Sequence, residues 1–305
     1  MLADLCSCFN QHQWDDSVGR SRAAGAAPAG QFRRALVTGA SSGIGAAFAM
    51  ALPATTDLLL TGRTKEKVEE TARQVTGDGR RVDIVVADLA DERDIERLIE
   101  HADAFGVDLL INNAGAGRLG RIIDNVAKSE RDTVAVNVLA VVLLTRGLLP
   151  GMIVRARSTA SRAGIIILSS TAAFTSVPYF ATYAASKAFD LSFAEALGEE
   201  MRGEPVDVLA LCPGATRTSF GGSAGFTGRT VPGAANPQTV ARQALRALGR
   251  QRIKVTGSVS QAAFGPFLLP RRVATFGIGT LMRIVSATMS APAGESEART
   301  GKSGR

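Results

Sequence analysis

Short apolar runs recur from residue 35 to residue 256, separated by longer amphipathic stretches, and that alternation constrains the fold more than any other feature of the chain. Ala35–Thr38, Leu58–Thr61, Val82–Ala87, Asp108–Ile111, Gly164–Leu168, Val206–Leu211 and Ile253–Thr256 read as strands. Most are near-continuous in apolar residues, as expected of strands covered on both faces of a parallel sheet. Ile44–Leu52, Lys65–Val75, Arg93–Ala104, Glu130–Leu149, Tyr179–Met201 and Pro237–Leu248 carry helical spacing between them. Strand and helix in regular succession predict an α/β fold: a doubly wound parallel sheet of the Rossmann type, in one domain over 31–258.

The flanks differ in texture. Residues 1–30 are rich in Gly, Ala, Ser, Arg and Gln without a period and are expected to form a disordered leader, with 291–305 a disordered tail. The stretch 215–236 holds many Gly, Ser, Thr and Pro and follows the carboxyl end of a strand, the edge where ligands bind in such sheets. It is expected to be a substrate lid, and its Phe220 and Phe226 suggest an apolar substrate. The C-terminal extension 259–290 is apolar, broken by Pro266 and Pro270 and followed by Arg271 and Arg272. Its 261–290 part is read either as a helical pair packed on the core or a second subunit, or as an anchor lying on a membrane surface.

Charge and cysteine usage narrow the class. The net charge is +7, but the unbalanced arginines gather near the ends and no helix carries a basic stripe with interleaved aromatics, so nucleic-acid binding is not expected. The three cysteines give no disulfide framework, and a reducing compartment, the cytoplasm, is the expectation. Cys6-x-Cys8 with His12 lacks a second ligand pair, so no metal site is expected. With His12 in the leader and His101 on a helix surface, a Ser/His hydrolase is disfavoured, and Cys212 reads as a packing residue. No signal peptide is evident, and the absence of about eighteen uncharged apolar residues in a row argues against a transmembrane helix.

Two clusters carry chemistry. Thr38-Gly39-Ala40-Ser41-Ser42-Gly43-Ile44-Gly45 follows the first strand and opens the first helix, where a diphosphate would meet backbone N–H groups and the positive helix end. Gly39, Ser41, Ser42, Gly43, Ile44 and Gly45 are therefore cofactor candidates. At the end of the second strand, Thr61-Gly62-Arg63 offers a guanidinium where an NAD site wants a carboxylate, which predicts NADP. The second cluster is Tyr183-Ala184-Ala185-Ser186-Lys187, which sets a phenol and an ammonium one turn apart on one helix face. The positive charge is expected to lower the phenol's pKa and make it a usable acid.

With these residues in place, the chain resembles the short-chain dehydrogenase/reductase family over about residues 33–258. The resemblance rests on the Gly39–Gly45 turn, on Asp88 with Leu89 after the third strand, and on Asn112-Asn113-Ala114-Gly115 after the fourth. It continues through Asn137, Ser170, Tyr183 and Lys187, and through Pro213-Gly214 with Thr216 and Thr218. It implies a catalytic set of Asn137, Ser170, Tyr183 and Lys187. It also implies that Asp88, Leu89, Asn113, Ala114, Gly115, Tyr183, Lys187, Pro213, Gly214, Thr216 and Thr218 join the glycine turn and Arg63 around the cofactor. Tyr183 would give a proton to a carbonyl oxygen and Ser170 a hydrogen bond to it. Lys187 would also hold the nicotinamide ribose, and Asn137 a relay water. The expected activity is NADPH-dependent reduction of an apolar ketone or a 3-oxo, lipid-like compound, by a dimer or tetramer. The alternatives are a non-catalytic NADP-binding sensor or scaffold on the same fold, and a membrane-peripheral protein acting through 261–290.

Overall fold

The computed structural model describes residues 32–77, 79–226, 233–257, 277–280 and 282–283. Seven parallel strands form one sheet: β1 (Arg34–Thr38), β2 (Asp57–Gly62), β3 (Val82–Val86), β4 (Leu109–Asn112), β5 (Ala163–Leu168), β6 (Val206–Pro213) and β7 (Ile253–Thr256). Their order in the sheet is β3-β2-β1-β4-β5-β6-β7. The chain winds outward to β3, then returns to the middle at β4 and winds the other way. The crevice between the carboxyl ends of β1 and β4 is thus the topological switch point, where such sheets bind ligands.

The near-continuous apolar runs expected of the strands divide between two apolar faces. Leu36, Leu59, Leu110, Ile165 and Ile167 face one way, into a cluster with Ile95, Leu98, Leu144, Leu148, Met152 and Leu197. Those partners come from α3 (Glu92–Phe105), the helix pair α4 (Ala127–Val134) and α5 (Ala140–Ser158), and α6 (Ala181–Glu200). Val37, Leu58, Leu60, Ile111, Ile166 and Leu209 face the other way, onto Phe48, Val68, Val240 and Leu245. The covering helices there are α1 (Gly43–Ala51), α2 (Lys65–Val75) and the late helix Pro237–Ala247. Every strand of the sheet's middle is wrapped on both sides, which is why its sequence runs read as nearly pure Leu, Ile and Val.

Three element boundaries differ from the sequence reading, each for a local reason. The helix expected to stop at Leu149 runs through Pro150 to Ser158. Proline removes one N–H bond, but Leu148, Met152 and Ala156 on either side of it are buried, and their packing carries the helix on. The helix expected to start at Tyr179 begins at Ala181, because Tyr179 sits at φ +65° and cannot continue a helix. Finally, α4 passes into α5 through a π-helical turn, Ala135–Leu139, which no residue pattern announced. The whole rod Ala127–Ser158 is 32 residues long with a mean hydropathy of 1.8 over its most apolar window, long and apolar enough to cross a bilayer. Arg146 interrupts its apolar stretch, and Leu144, Leu148 and Met152 lie on the sheet, as in the core helix of a folded domain.

The leader, Cys6, Cys8 and His12, the tail 291–305 and most of 259–290 lie outside the described residues, as do 227–232 of the expected lid. Of the C-terminal extension, residues 277–280 are helical. Gly279 abuts Pro178, so that a methyl group at its Cα would come within 3.2 Å of the proline ring.

Candidate active site

The first half of the site is made almost wholly of backbone. Gly39 leaves β1 at φ +65°, a conformation open to glycine, and brings the chain against Ala114. One turn on, a side chain at Gly45 would strike the Gly39 carbonyl oxygen and the Asn113 amide, so helix and strand meet there only through glycine. Asn113 ties the turn to β4. Its Nδ2 donates to Thr38 O at 2.7 Å and Gly39 O at 3.3 Å, while its N–H donates to Thr38 Oγ1 at 2.9 Å. Ala114 N–H shares that hydroxyl at 2.9 Å. The first turn of α1 carries no acidic residue, and Ser42 at its N-cap makes no capping bond, so the helix N–H groups and dipole are open to an anion.

The neighbouring positions gather as the sequence suggested. Ala40 N–H donates to Thr61 O at 3.0 Å, fastening the turn to β2. A Cβ on Gly62 would stand 3.5 Å from the Ser41 side chain, so Arg63, the next residue, leaves β2 beside Ser41. Arg63 is exposed and forms no ion pair among the described residues. Asp57, at the other end of β2, accepts from Arg81 N–H at 2.9 Å, away from the cofactor edge. Asp88 is half-buried; its Oδ1 accepts from Ala90 N–H at 3.1 Å, and Leu89 beside it is buried. Cradle, switch-point crevice and open helix terminus have the shape and polarity to fit a dinucleotide.

The second half is built from side chains on α6 and the strands it covers. Tyr183 and Lys187 share one stripe of the helix. The Tyr183 ring stacks on Phe180 with centroids 4.3 Å apart and lies 5.3 Å from Phe220 of the short helix α7 (Phe220–Ser223). Phe226 meets Phe180 edge-on at 5.6 Å. Ser170, two residues beyond β5, caps the 3-10 turn Thr171–Phe174 by accepting from Ala172 N–H at 3.1 Å, and its hydroxyl is placed to favour the charged form of the Tyr183 phenol. The Lys187 ammonium donates to Leu168 O at 2.8 Å and to the Asp190 carboxylate at 2.9 Å. Asp190 was not among the residues read as functional. Its spacing, three beyond the lysine on the same helix, was the available signal.

The aromatic cover reverses one expectation. Burial raises the Tyr183 phenol's pKa, and it outweighs the lowering by Lys187 and by the Ser170 hydrogen bond. The sequence placed the ammonium nearby but not Phe180 and Phe220, which pack on the ring. For Lys187, burial alone works to lower the pKa, but the charge of Asp190, then Tyr183 and the hydrogen bond to Asp190, carry it above the ordinary value. Cys212 stands under this cluster as a packing residue; burial pushes its thiol up to about 12.

Asn137 sits inside the π turn, fully buried. Such turns put an extra residue into a helix and free its backbone groups, and they recur at functional sites. Its Oδ1 accepts from Ala116 N–H at 2.8 Å and its Nδ2 donates to Ala116 O at 2.9 Å and Ser186 Oγ at 2.8 Å. The side chain thereby clamps the Asn112–Ala116 loop to α6. Gly115 lies between the two, within 3.6 Å of Asn137 Oδ1 and 3.7 Å of Lys187 Nζ measured from where its Cβ would be.

The described part of the segment expected to be a lid rests on both halves. Ser219 Oγ shares a hydrogen bond with Ser42 Oγ at 3.0 Å, Thr218 packs against Gly43, and Phe220 covers Tyr183. Its base is anchored beyond Pro213 by Gly214 N–H to Thr256 O at 2.9 Å, by Thr216 Oγ1 to Gly214 O at 2.9 Å, and by a short bridge between Thr216 and Ala235.

Comparison with known proteins agrees with this geometry. The model of the short chain dehydrogenase family matches residues 33–225. A rat protein, dehydrogenase/reductase SDR family member 7B, is 34% identical over 194 residues, 61% of this chain and 58% of that protein's length. The match thus spans little more than half of that relative. A short-chain dehydrogenase from Sphingobium yanoikuyae, solved in complex with NADPH, superposes with a TM-score of 0.65 at 25% identity, covering 87% of this chain and 99% of that one. A 3-ketoacyl-(acyl-carrier-protein) reductase from Brucella melitensis, solved with NADH, gives a TM-score of 0.65 at 27% identity over 74% of this chain and 96% of its own. The chain belongs to the short-chain dehydrogenase family.

Proposed function

We propose that the protein is an NADPH-dependent carbonyl reductase acting on an apolar ketone or 3-oxo, lipid-like compound, with Tyr183 as the proton donor. The observation that carries this reading is the aromatic packing at the phenol: Phe180 and Phe220 lie against the Tyr183 ring and Phe226 backs Phe180, with Ser170 placed to hydrogen-bond the phenol oxygen. A group kept protonated by burial is suited to give a proton rather than to take one. A bound nicotinamide supplies the hydride. The chain's own residues do the rest. Tyr183 protonates the carbonyl oxygen, and Ser170 donates a hydrogen bond to the same oxygen as charge develops there. Lys187, held charged, stabilises the phenolate left behind and offers its third N–H to a cofactor ribose. Asn137 holds the floor of the pocket by clamping Ala116 and Ser186, and the second lone pair of its Oδ1 is available to a relay water. Water is kept out by the phenylalanine lid.

NADPH preference is supported by Arg63 and Ser41 at the end of β2, where the chain offers a guanidinium in place of the carboxylate that would hold a ribose 2′-hydroxyl. The Sphingobium neighbour solved with NADPH is consistent with it, and the Brucella neighbour's NADH makes the parallel assay necessary. Assembly as a dimer or tetramer is supported by Val134, Leu139, Val154 and Phe189, apolar and exposed on α4, α5 and α6. The test is oxidation of NADPH, with NADH in parallel, over ketones, aldehydes, quinones and 3-oxo lipids. NADPH-selective turnover of apolar ketones is expected. Tight NADPH binding with no turnover on any carbonyl would point to the sensor reading instead.

A further inference from the structure

We infer that Asp190 is a positioning residue, the buried counter-ion that fixes the charge and the aim of Lys187 and, through it, the proton on Tyr183. Tyr183, Lys187 and Asp190 stand at positions i, i+4 and i+7 of α6, one stripe of the helix turned toward the carboxyl end of β5. The side chains of Lys187 and Asp190 are 4% and 0% exposed, with Nζ and Oδ2 2.9 Å apart. Lys187 spends its second N–H on Leu168 O at 2.8 Å, which leaves one for a ligand. Asp190 Oδ1 has no hydrogen-bond partner among the described residues. Packing alone does not account for a carboxylate here. Its helix neighbours Leu191 and Ala194 are buried apolar residues, and an apolar side chain would fill the site without the cost of desolvating an ion.

The groups facing Lys187 from the surrounding elements leave Asp190 alone in this role. From α6 itself come Tyr183 and Asp190; from β6, Cys212, a neutral thiol. From the end of β5 comes Ser169, whose hydroxyl donates to the Lys187 carbonyl at 2.6 Å. From the π turn comes Asn137, which reaches α6 through Ser186. Glu195, one turn further along α6, acts on Cys212. Among the described residues Asp190 is the one carboxylate bonded to the ammonium. Without it, burial draws Lys187 toward its neutral form, and a neutral lysine does not stabilise a phenolate and donates more weakly to Leu168 O.

The inference rests on Tyr183 and Lys187 being the working pair, so the first readout needs no turnover. In the full chain labelled with 13C at lysine Cε, the Lys187 resonance (one of six lysines, assigned with Lys187→Arg) is followed against pH. It is expected to stay charged past the ordinary lysine value of about 10.4, and in Asp190→Asn to lose its proton at least about one pH unit lower, a tenfold change in the charged fraction above that point. Asp190→Glu, which keeps the charge, should lie nearer the wild type than Asp190→Asn. In turnover the alkaline limb of kcat/KM moves down with Lys187. A wild-type Lys187 that already titrates below the ordinary value overturns the inference whether or not the variants fold. So does an Asp190→Asn protein, folded by circular dichroism, whose Lys187 titration is unmoved. A lysine shift without turnover on any carbonyl would overturn the proposed function and leave the counter-ion standing.

Discussion

The turn after β1 and the stripe on α6 face the same crevice but are made of opposite materials. The turn from Gly39 to Gly45 uses backbone: no charged side chain takes part, and its binding power is the helix dipole and free N–H groups. The stripe uses side chains whose meaning depends on burial. Burial shifts the Tyr183 phenol upward, and the charge of Asp190, which has no exposed surface, raises Lys187. A site of backbone fails when space is lost, and a site of buried charge fails when a partner is lost.

The largest effect expected comes from the stripe. Tyr183→Phe keeps the ring and its stack on Phe180 but removes the donor, so turnover should fall by about a hundred- to ten-thousandfold. Cofactor affinity, read by NADPH fluorescence, should stay within about twofold, because that reading gives binding to the other half; a parallel loss of affinity would dissolve the division between the two. Gly45→Ala attacks the turn in the complementary way. The methyl group meets the Gly39 carbonyl and the Asn113 amide, and overpacking of this kind costs about 1–3 kcal/mol. NADPH titration should weaken by about tenfold or more, and thermal unfolding should show a lower Tm. Unchanged binding would mean the cofactor does not use this turn.

Arg63→Ala sharpens the turn's role in selection. An exposed charge-assisted contact is worth about 1 kcal/mol after solvent screening, so Kd for NADPH should rise about fivefold while Kd for NADH holds. Equal losses for both would remove Arg63 from the 2′-phosphate. The smallest effect is Phe220→Ala, which uncovers the Tyr183 ring. Burial holds that phenol above its ordinary value, so added water must move it down. In ultraviolet titration of the two tyrosines, with Tyr183→Phe for assignment, one phenolate should form at lower pH by a fraction of a unit. No movement would show that Phe180 and Phe226 suffice as the cover.

The strands were legible because burial on both sheet faces demands apolar residues at every position, and such runs survive in the sequence whatever their partners. The glycine turn was legible for a related reason: close approach of backbone admits one residue type. The continuation of α5 through Pro150 was not, since it depends on how Leu148 and Met152 pack against strands far off in sequence. Nor was the π turn that carries Asn137, which is a matter of one extra residue between two helices of ordinary composition.

The sequence by itself determined the α/β alternation, the cofactor turn and the phenol–ammonium spacing, because each rests on local periodicity or on a steric requirement of the backbone. Only the tertiary structure decided which way the phenol's proton is held and which carboxylate answers the lysine. Those depend on the water excluded by Phe180, Phe220 and Phe226 and on the depth of Asp190, and desolvation is a property of the assembled fold rather than of neighbours along the chain.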